Sequence, residues 1–209
     1  MIGIIMNGTK IDIDNRYFPA EELNHNVKPY QALCRVIDRT GIKCDSVADM
    51  GCRNGLFLQE FYKLHPKSRI YGCDYFQWAI DACSEEIKPF VYQFDLRDPF
   101  LDTESFNLVI CMEVAEHIDP SYCSVFLKNL RKKCNGHLVM TWSSRGGIHD
   151  RDNDGHIQHL NPKSIQEYLQ TMNTHGFELD VDMTRNFQRE IQQTHEFHWY
   201  WTESLGVFR

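Results

Sequence analysis

A short stretch between residues 46 and 57 constrains the fold of this chain more than any other. An apolar run that ends in the acid Asp49 is followed by two closely spaced glycines, Gly51 and Gly55, and then by apolar residues at helical spacing. This order predicts a strand, a tight turn and a helix, with backbone N–H groups exposed where the helix begins. Nucleotide-type ligands bind at such junctions, although two glycines in a turn can also be purely structural.

A second strand favours the ligand-binding interpretation. Residues 69–73 form another short apolar run, and Asp74 follows it directly. An acid at the tip of the second strand of a β–α–β unit is placed to accept hydrogen bonds from ribose hydroxyls. The loop lacks the Gly-x-Gly-x-x-Gly pattern of dinucleotide sites, and Asp49 would repel a pyrophosphate. The residues therefore favour a ligand with a ribose and a cationic amino-acid end, such as S-adenosylmethionine.

The ordered set of motifs resembles the class I S-adenosylmethionine-dependent methyltransferases, from about Val47 to the C-terminus. The family's first motif, an acid followed by Gly-x-Gly-x-Gly, is similar to residues 49–55, with Arg53 in place of the middle glycine. Its later motifs are similar to Asp74 and to two following segments, residues 94–96 and 107–117. The resemblance implies one domain over residues 1–209, an α/β fold with a doubly wound, mostly parallel seven-stranded sheet, helices on both faces and an antiparallel C-terminal hairpin.

The resemblance also implies which residues hold the cofactor. Asp49 and the two glycines would contact its amino-acid end, and Asp74 its ribose. Asp95 would accept a hydrogen bond from the adenine amine, and the Leu96 amide would pair with a ring nitrogen, although residues 95–99 could also be an ordinary acidic turn. The full implied set is Asp49, Gly51, Gly55, Asp74, Tyr75, Asp95, Leu96 and Glu113.

A segment rich in ionisable groups, Glu113-Val114-Ala115-Glu116-His117, follows the apolar run of residues 106–112. That run predicts a strand buried on both faces, and the ends of such strands line the ligand crevice of open α/β sheets. If the chain turns helical after Val114, the two carboxylates and the imidazole share one face. They could bind a divalent metal, supply a general base, or cap the start of a helix.

The family resemblance leaves two of these alternatives open. Many small-molecule methyltransferases, ubiquinone-pathway O-methyltransferases among them, have a similar Glu-x-x-Glu-His segment that shapes the pocket without a metal. The small-RNA 3′-end 2′-O-methyltransferases use it with a later histidine to bind a divalent cation, which acts as a Lewis acid on the ribose hydroxyl. This chain has later histidines at His156 and His159. The metal ligands under this alternative are Glu113, Glu116, His117 and His159.

Two further segments are expected near the acceptor. Residues 143–161 form a long polar loop without clear periodicity, and long loops in compact domains are usually functional or disordered. We expect His159 in this loop to contact the acceptor and, with His117, to be a candidate catalytic base, although a structural histidine is an open alternative. Residues 1–27 are expected to form an N-terminal extension or a lid.

The C-terminal part is expected to complete the sheet. Residues 178–183 alternate in polarity and predict a strand, and residues 204–209 predict the last one. The aromatic segment between them, residues 195–201, is expected to be core or to cover an acceptor.

Composition excludes some classes of function. A net charge of −7 does not favour broad nucleic-acid binding, and no apolar run is long enough to cross a membrane. Eight cysteines without a Cys-x-x-Cys pair favour a reducing, cytoplasmic setting. The oligomeric state does not follow from the sequence.

The family resemblance implies an enzyme that transfers the methyl group of S-adenosylmethionine to an acceptor, and we expect that acceptor to be a hydroxyl, or an amine, of a small molecule. An oxygen acceptor is preferred because His117 and His159 offer proton acceptors that a thiolate would not require. One alternative is metal-assisted 2′-O-methylation of an RNA end or a sugar hydroxyl. The other is a non-catalytic S-adenosylmethionine-binding module.

Overall fold

The computed structural model describes three parts of the chain, residues 26–145, 159–196 and 204–209. Some predictions lie outside these parts: nearly all of the extension at residues 1–27, residues 146–158 of the polar loop with His156, and residues 197–201 of the aromatic segment. Within the described residues, no helix is long and apolar enough to cross a membrane.

Helices and strands alternate along most of the described chain. The helices are α1 (Lys28–Thr40), α2 (Leu56–Leu64), α3 (Gln77–Asp81), α4 (Cys123–Lys133), α5 (Ile165–Thr174) and α6 (Val181–Thr194). The strands are β1 (Ser46–Met50), β2 (Arg69–Asp74), β3 (Val91–Gln93), β4 (Phe106–Cys111), β5 (Cys134–Thr141) and β6 (Leu205–Phe208). Short 3-10 turns lie at Lys88–Phe90, Ala115–His117 and Pro120–Tyr122.

The strands form one sheet in the order β3-β2-β1-β4-β5-β6. The pairs among β1 to β5 are parallel, and β6 runs antiparallel to β5. The chain builds outward from β1 through β2 to β3 and then crosses back to β4. The order therefore reverses between β1 and β4, and ligands bind at the carboxyl edge beside such a reversal.

Alternate residues of the central strands pack against two different layers of helices. One buried apolar cluster joins α1, α2 and α6 to residues that include Val47 and Leu108. A second cluster joins α4 and α5 to the alternate residues of the same strands, among them Ala48 and Val109. All five residues of β1 are buried, as expected for a strand covered on both faces. The predicted doubly wound α/β fold with helices on both faces is confirmed.

The strand predicted at residues 178–183 is wrong, and the described residues contain six strands rather than seven. Helix α6 begins at Val181 instead, because the Asp180 side chain accepts a hydrogen bond from the Met183 N–H at 3.0 Å and caps the helix. Of the predicted hairpin partner, only a short antiparallel ladder remains, in which Leu179 bridges Phe208 in β6. The alternating pattern was thus overridden by a cap and by apolar residues at helical spacing.

Candidate active site

The predicted cofactor residues lie at or just beyond the carboxyl ends of β1 to β4. Asp49 is in β1, Asp74 is the last residue of β2, and Glu113 follows β4 closely. Gly51 and Gly55 lie in the loop after β1, Tyr75 follows β2, and Asp95 and Leu96 follow β3. Because these strands are parallel, the structure brings all of these positions to the same edge of the sheet.

The glycine loop is fastened to the end of the neighbouring strand. The N–H groups of Gly51 and Cys52 both donate to the Cys73 carbonyl, at 2.8 and 2.9 Å. Gly51 has φ 87, and a Cβ atom there would lie 2.3 Å from Cγ2 of Val114. Gly51 is therefore required both by its left-handed conformation and by the close approach of the chain after β4.

Arg53 occupies the position of the missing middle glycine without changing the kind of turn. Its φ of 50 lies in the left-handed region, between Gly51 and Gly55 with φ values of 87 and 69. Its backbone N–H donates to Oδ2 of Asp74 at 2.8 Å. The departure from the family pattern therefore keeps the left-handed backbone that a glycine would adopt, and the loop contacts the predicted ribose residue directly.

Asp49 and Asp74 form a buried acidic pair beside this loop. Burial, and then the negative charge of Asp74, raises the pKa of Asp49 to about 8. Burial also raises the pKa of Asp74, while N–H groups of Phe76 and Arg53 that donate to its carboxylate oppose the rise. At neutral pH Asp49 is therefore largely protonated in the protein alone, and a cationic ligand beside it would favour its ionised form.

The predicted adenine segment is held by an arginine that the sequence reasoning missed. Arg97 forms a bidentate ion pair with Asp95, with Nε 2.9 Å from Oδ1 and Nη2 2.9 Å from Oδ2. The side chain of Arg97 is only 3% exposed. The sequence does place a basic residue, Arg97, two positions after the acid Asp95, and this spacing could have indicated an ion pair. Residues 95–99 are equally typical of an acidic turn, so the spacing did not single Arg97 out.

Glu113, which follows β4, adopts a left-handed conformation with φ 56. Its N–H donates to Oγ1 of Thr141 at 2.8 Å, and the Thr141 hydroxyl donates back to Oε1 of Glu113 at 2.8 Å. Thr141 is fully buried at the end of β5. Sequence reasoning missed this residue too, although a polar residue that ends an apolar strand was a usable signal.

Glu116 is the most deeply buried acid of the Glu113–His117 segment. It is fully buried, and neither carboxylate oxygen has a hydrogen-bond partner among the described residues. Burial, and then the negative charge of Glu113, raises the pKa of Glu116 to about 8. A buried polar group of this kind destabilises the fold unless a partner or ligand satisfies it.

His117 and His159 lie side by side, with ring centroids 5.0 Å apart. The Nδ1 atom of His159 is 2.9 Å from the carbonyl oxygen of Arg145. A carbonyl only accepts, so the proton of that hydrogen bond is on Nδ1. In the neutral ring, Nε2 is then the nitrogen that can take a proton or contact a cation.

The polar loop returns to the sheet through several hydrogen bonds next to these histidines. The Asn161 N–H donates to the Glu116 carbonyl at 2.9 Å, and Nε1 of Trp142 donates to the Asn161 carbonyl at 2.7 Å. The Lys163 N–H donates to the Ser143 carbonyl at 3.1 Å. These contacts fix the backbone on which His159 lies.

Three of the four predicted metal ligands come together. One ligand atom from each of Glu116, His117 and His159 lies within 4.8 Å of the other two. Glu113 is not in this group, and its carboxyl is bonded to Thr141. The cluster offers one carboxylate and two imidazoles, which can take up protons or bind a divalent cation.

The sequence of this protein matches a family model described as a methyltransferase domain, over residues 21–180. The chain belongs to this methyltransferase family. With its fold, this makes the protein an S-adenosylmethionine-dependent methyltransferase of class I, as the motif order predicted. A comparison of the methyltransferase with curated protein sequences gives no significant match.

Solved structures share the fold of the methyltransferase. A TehB-like S-adenosylmethionine-dependent methyltransferase from Corynebacterium glutamicum is 15% identical, with a TM-score of 0.56, over 85% of this chain and 86% of that one. Magnesium protoporphyrin IX methyltransferase from Synechocystis, with bound S-adenosylhomocysteine, is 13% identical, with a TM-score of 0.56, over 73% and 74%. A candidate O-methyltransferase from Nostoc punctiforme is 14% identical, with a TM-score of 0.58, over 87% of this chain and only 55% of that one.

Proposed function

We propose that this methyltransferase transfers the methyl group to a hydroxyl oxygen, or an amine, of a small molecule. The observation that carries the proposal is the His117–His159 pair beside the buried Glu116, close to the glycine loop through Val114. In the reaction the acceptor oxygen bonds to the methyl carbon as the carbon–sulfur bond breaks, and the electron pair stays on sulfur. The hydroxyl proton passes to Nε2 of His159 or to His117, which acts as general base.

The cofactor is proposed to lie along the carboxyl edge of β1, β2 and β3. Asp49, Gly51 and Gly55 would contact its amino-acid end. The cationic amine at that end would favour the ionised form of Asp49, whose pKa is raised in the protein alone. Asp74 and Tyr75 would contact the ribose. The remaining proposed cofactor residues are Asp95 and Leu96 at the adenine and Glu113 near the methyl group. The protein mainly aligns the methyl group with the acceptor and excludes water, since the sulfonium is already activated.

The experiment combines cofactor calorimetry with a methyl-transfer assay on a panel of hydroxyl and amine compounds. His159→Ala and His117→Ala should keep S-adenosylhomocysteine affinity and lower the rate by about a hundredfold, the usual effect of losing a general base. His175→Ala is the matched control, because its Nδ1 also contacts a carbonyl, that of Thr171 at 2.8 Å, at the end of α5. Cofactor binding without transfer to any acceptor, and without slow cofactor hydrolysis, would instead indicate a non-catalytic binding module.

A second candidate function is metal-assisted 2′-O-methylation of an RNA end or a sugar hydroxyl. The clustering of Glu116, His117 and His159 favours it, and the unsatisfied oxygens of Glu116 fit a cation. The three side chains would hold the ion, and a bound ion would act as a Lewis acid that lowers the pKa of the hydroxyl. Calorimetric titration with Mn²⁺ tests this directly: binding that is lost in Glu116→Gln, together with turnover abolished by EDTA, supports it, and no binding rules it out.

Setting and partners are proposed on chemical grounds. We propose a small-molecule acceptor, no membrane association and a cytoplasmic location. All eight cysteines are described and free, and most are buried, which fits a reducing compartment. Burial raises the pKa of Cys34 to about 12 and that of Cys83 to about 11, so these thiols are unreactive at neutral pH.

A further inference from the structure

Asn161 carries a buried side-chain amide whose donor group is not satisfied within the described part of the chain. The residue is 5% exposed, and its Nδ2 atom has no hydrogen-bond acceptor of normal geometry there. The Cys123 thiol lies beside the amide, but sulfur is only a weak acceptor. A buried amide donor of this kind destabilises the fold unless a ligand accepts its hydrogen bond.

The backbone of Asn161 is fixed next to the candidate bases. Its N–H donates to the Glu116 carbonyl at 2.9 Å, and its own carbonyl accepts from Nε1 of Trp142 at 2.7 Å. His159 lies two residues earlier on the same segment, and one of its ligand atoms lies within 4.8 Å of those of Glu116 and His117. The amide is therefore held on a fixed backbone beside the proposed general bases.

Lys163 brings a positive charge to the same segment. Its ammonium nitrogen lies 5.2 Å from the ring centre of Trp142, within cation–π range, and its backbone N–H donates to the Ser143 carbonyl at 3.1 Å. Among the residues that the structure describes, Lys163 forms no ion pair with a carboxylate. The nearest acid along the chain, Glu167, instead accepts hydrogen bonds from the N–H and the hydroxyl of Ser164, at 2.9 and 2.6 Å, as part of the cap of α5. The ammonium can therefore pair with an anionic ligand.

The amide and the ammonium converge at Cys123, the first residue of α4. Burial raises the pKa of the Cys123 thiol, and the positive charge of Lys163 and the Asn161 side chain both oppose the rise. Electrostatic effects weaken with distance, so both donors lie near this thiol. Trp142 also links them, since its indole N–H bonds to the Asn161 carbonyl and its ring contacts Lys163. Two donors that lack an acceptor among the described residues thus lie together just beyond the carboxyl end of β5.

We propose that Asn161 and Lys163 bind a carboxylate of the acceptor, which makes the methyl-accepting substrate a hydroxy acid. The inference rests on the proposed function and names the class of its small-molecule substrate. A carboxylate has one oxygen for the amide N–H and one for the ammonium, and a charge-assisted hydrogen bond is stronger than a neutral one. A single negative charge matches the single ammonium, whereas a phosphate dianion would leave one charge unpaired. Binding there places the substrate beside His159, two residues from Asn161.

The test titrates paired ligands that differ in charge into the protein saturated with S-adenosylhomocysteine. The pairs are hydroxy acids and their methyl esters, beginning with 4-hydroxybenzoate and methyl 4-hydroxybenzoate. In the wild type the acid of at least one pair should bind about ten- to a hundredfold more tightly than the ester, the usual value of a hydrogen bond to a charged group. In Lys163→Met, which keeps an apolar stem over Trp142, this ratio should fall to about threefold or less because acid affinity is lost. Lys163→Arg keeps the charge and should retain most of the preference.

Asn161→Leu keeps the size of the side chain and removes the donor, so the acid should bind about tenfold more weakly. Arg131→Met is the matched control, because Arg131, in the last turn of α4, also lies over an aromatic ring, 5.6 Å from the centre of Phe177. Its ratio should equal that of the wild type. Thermal melting shows which variants are folded, and either Lys163→Met or Asn161→Leu alone suffices for the test.

Three results overturn the inference: an unchanged ratio in the folded variants, no preference for any acid in the wild type, or tighter binding of 4-hydroxyphenyl phosphate than of 4-hydroxybenzoate. A wild type that methylates neutral hydroxyl compounds but no acid also overturns it and leaves the proposed function intact. A wild type that does not bind S-adenosylhomocysteine overturns the proposed function instead.

Discussion

Glu113 shows how a single residue at this site is held in an unfavourable conformation. A left-handed backbone destabilises a residue with a Cβ atom by about 1–2 kcal/mol, and Glu113 has φ 56. The reciprocal hydrogen bonds with Thr141 offset this by satisfying a backbone N–H and one carboxyl oxygen. Strain of this kind persists where surrounding structure enforces it, and it is concentrated at functional sites.

Thr141→Val should therefore lower both stability and cofactor affinity. The variant keeps the shape of the side chain and removes both hydrogen bonds, so the free energy of unfolding should fall by about 1–3 kcal/mol. Cofactor affinity should fall by about tenfold if Glu113 contacts the cofactor. Urea unfolding and calorimetry measure the two effects.

Thr184→Val provides the comparison, because Thr184 makes the same reciprocal pair with Val207, accepting at 2.9 Å and donating at 3.4 Å. It should lose similar stability with unchanged cofactor affinity. Equal affinity losses in both variants would show that Thr141 acts on the fold alone.

Among the helices and strands, those whose sequence shows a single hydrophobic pattern could be predicted. The strands β1, β2 and β4 and helix α2 follow from apolar runs and spacing, because no competing pattern is present in them. The start of α6 was not predictable from alternation, since the capping role of Asp180 becomes visible only if a helix is assumed. The order of the site segments was predictable, but contacts between distant residues, such as Glu113 with Thr141, depend on the pairing of β4 with β5.

Asp180→Ala should unravel the first turn of α6. Loss of a helix cap lowers the free energy of unfolding by about 1 kcal/mol, and the variant also loses an ion pair with Arg209 at 2.5 Å. Asp182→Ala changes an exposed acid in the same turn and should have an effect of about 0.5 kcal/mol or less. Urea unfolding distinguishes the two, and equal losses would show that the cap is not what begins the helix.

For the whole molecule, buried acids near the carboxyl edge of the sheet make stability depend on pH in an unusual direction. The pKa values of Asp49 and Glu116 are both raised to about 8, well above those of unfolded carboxyls. At pH values between the pKa of the unfolded carboxyls and that of the folded ones, the folded protein binds more protons than the unfolded chain. Stability is therefore fully present at acid pH and is lost as the pH rises toward about 8.

The free energy of unfolding should fall by about 2 kcal/mol per pH unit between pH 6.5 and 8 in the absence of ligands, about 1 kcal/mol from each of the two carboxyls. The pKa of His137 is lowered by burial, and this group alone would make stability rise with pH. That rise is complete near the ordinary histidine pKa of 6.5, so it does not oppose the fall between pH 6.5 and 8. Asp49→Asn and Glu116→Gln should each flatten the slope and stabilise the protein at pH 8. A flat profile in the wild type, measured by urea unfolding at several pH values, would contradict the prediction.

The hydrogen bond between His159 and the Arg145 carbonyl joins the two residues that border residues 146–158. The bonds from Asn161 and Lys163 hold the chain that follows His159 against Glu116 and Ser143. The imidazole pair therefore depends on bonds among residues outside 146–158. We expect relatives to differ in the length and composition of that stretch while the positions of His117 and His159 stay the same.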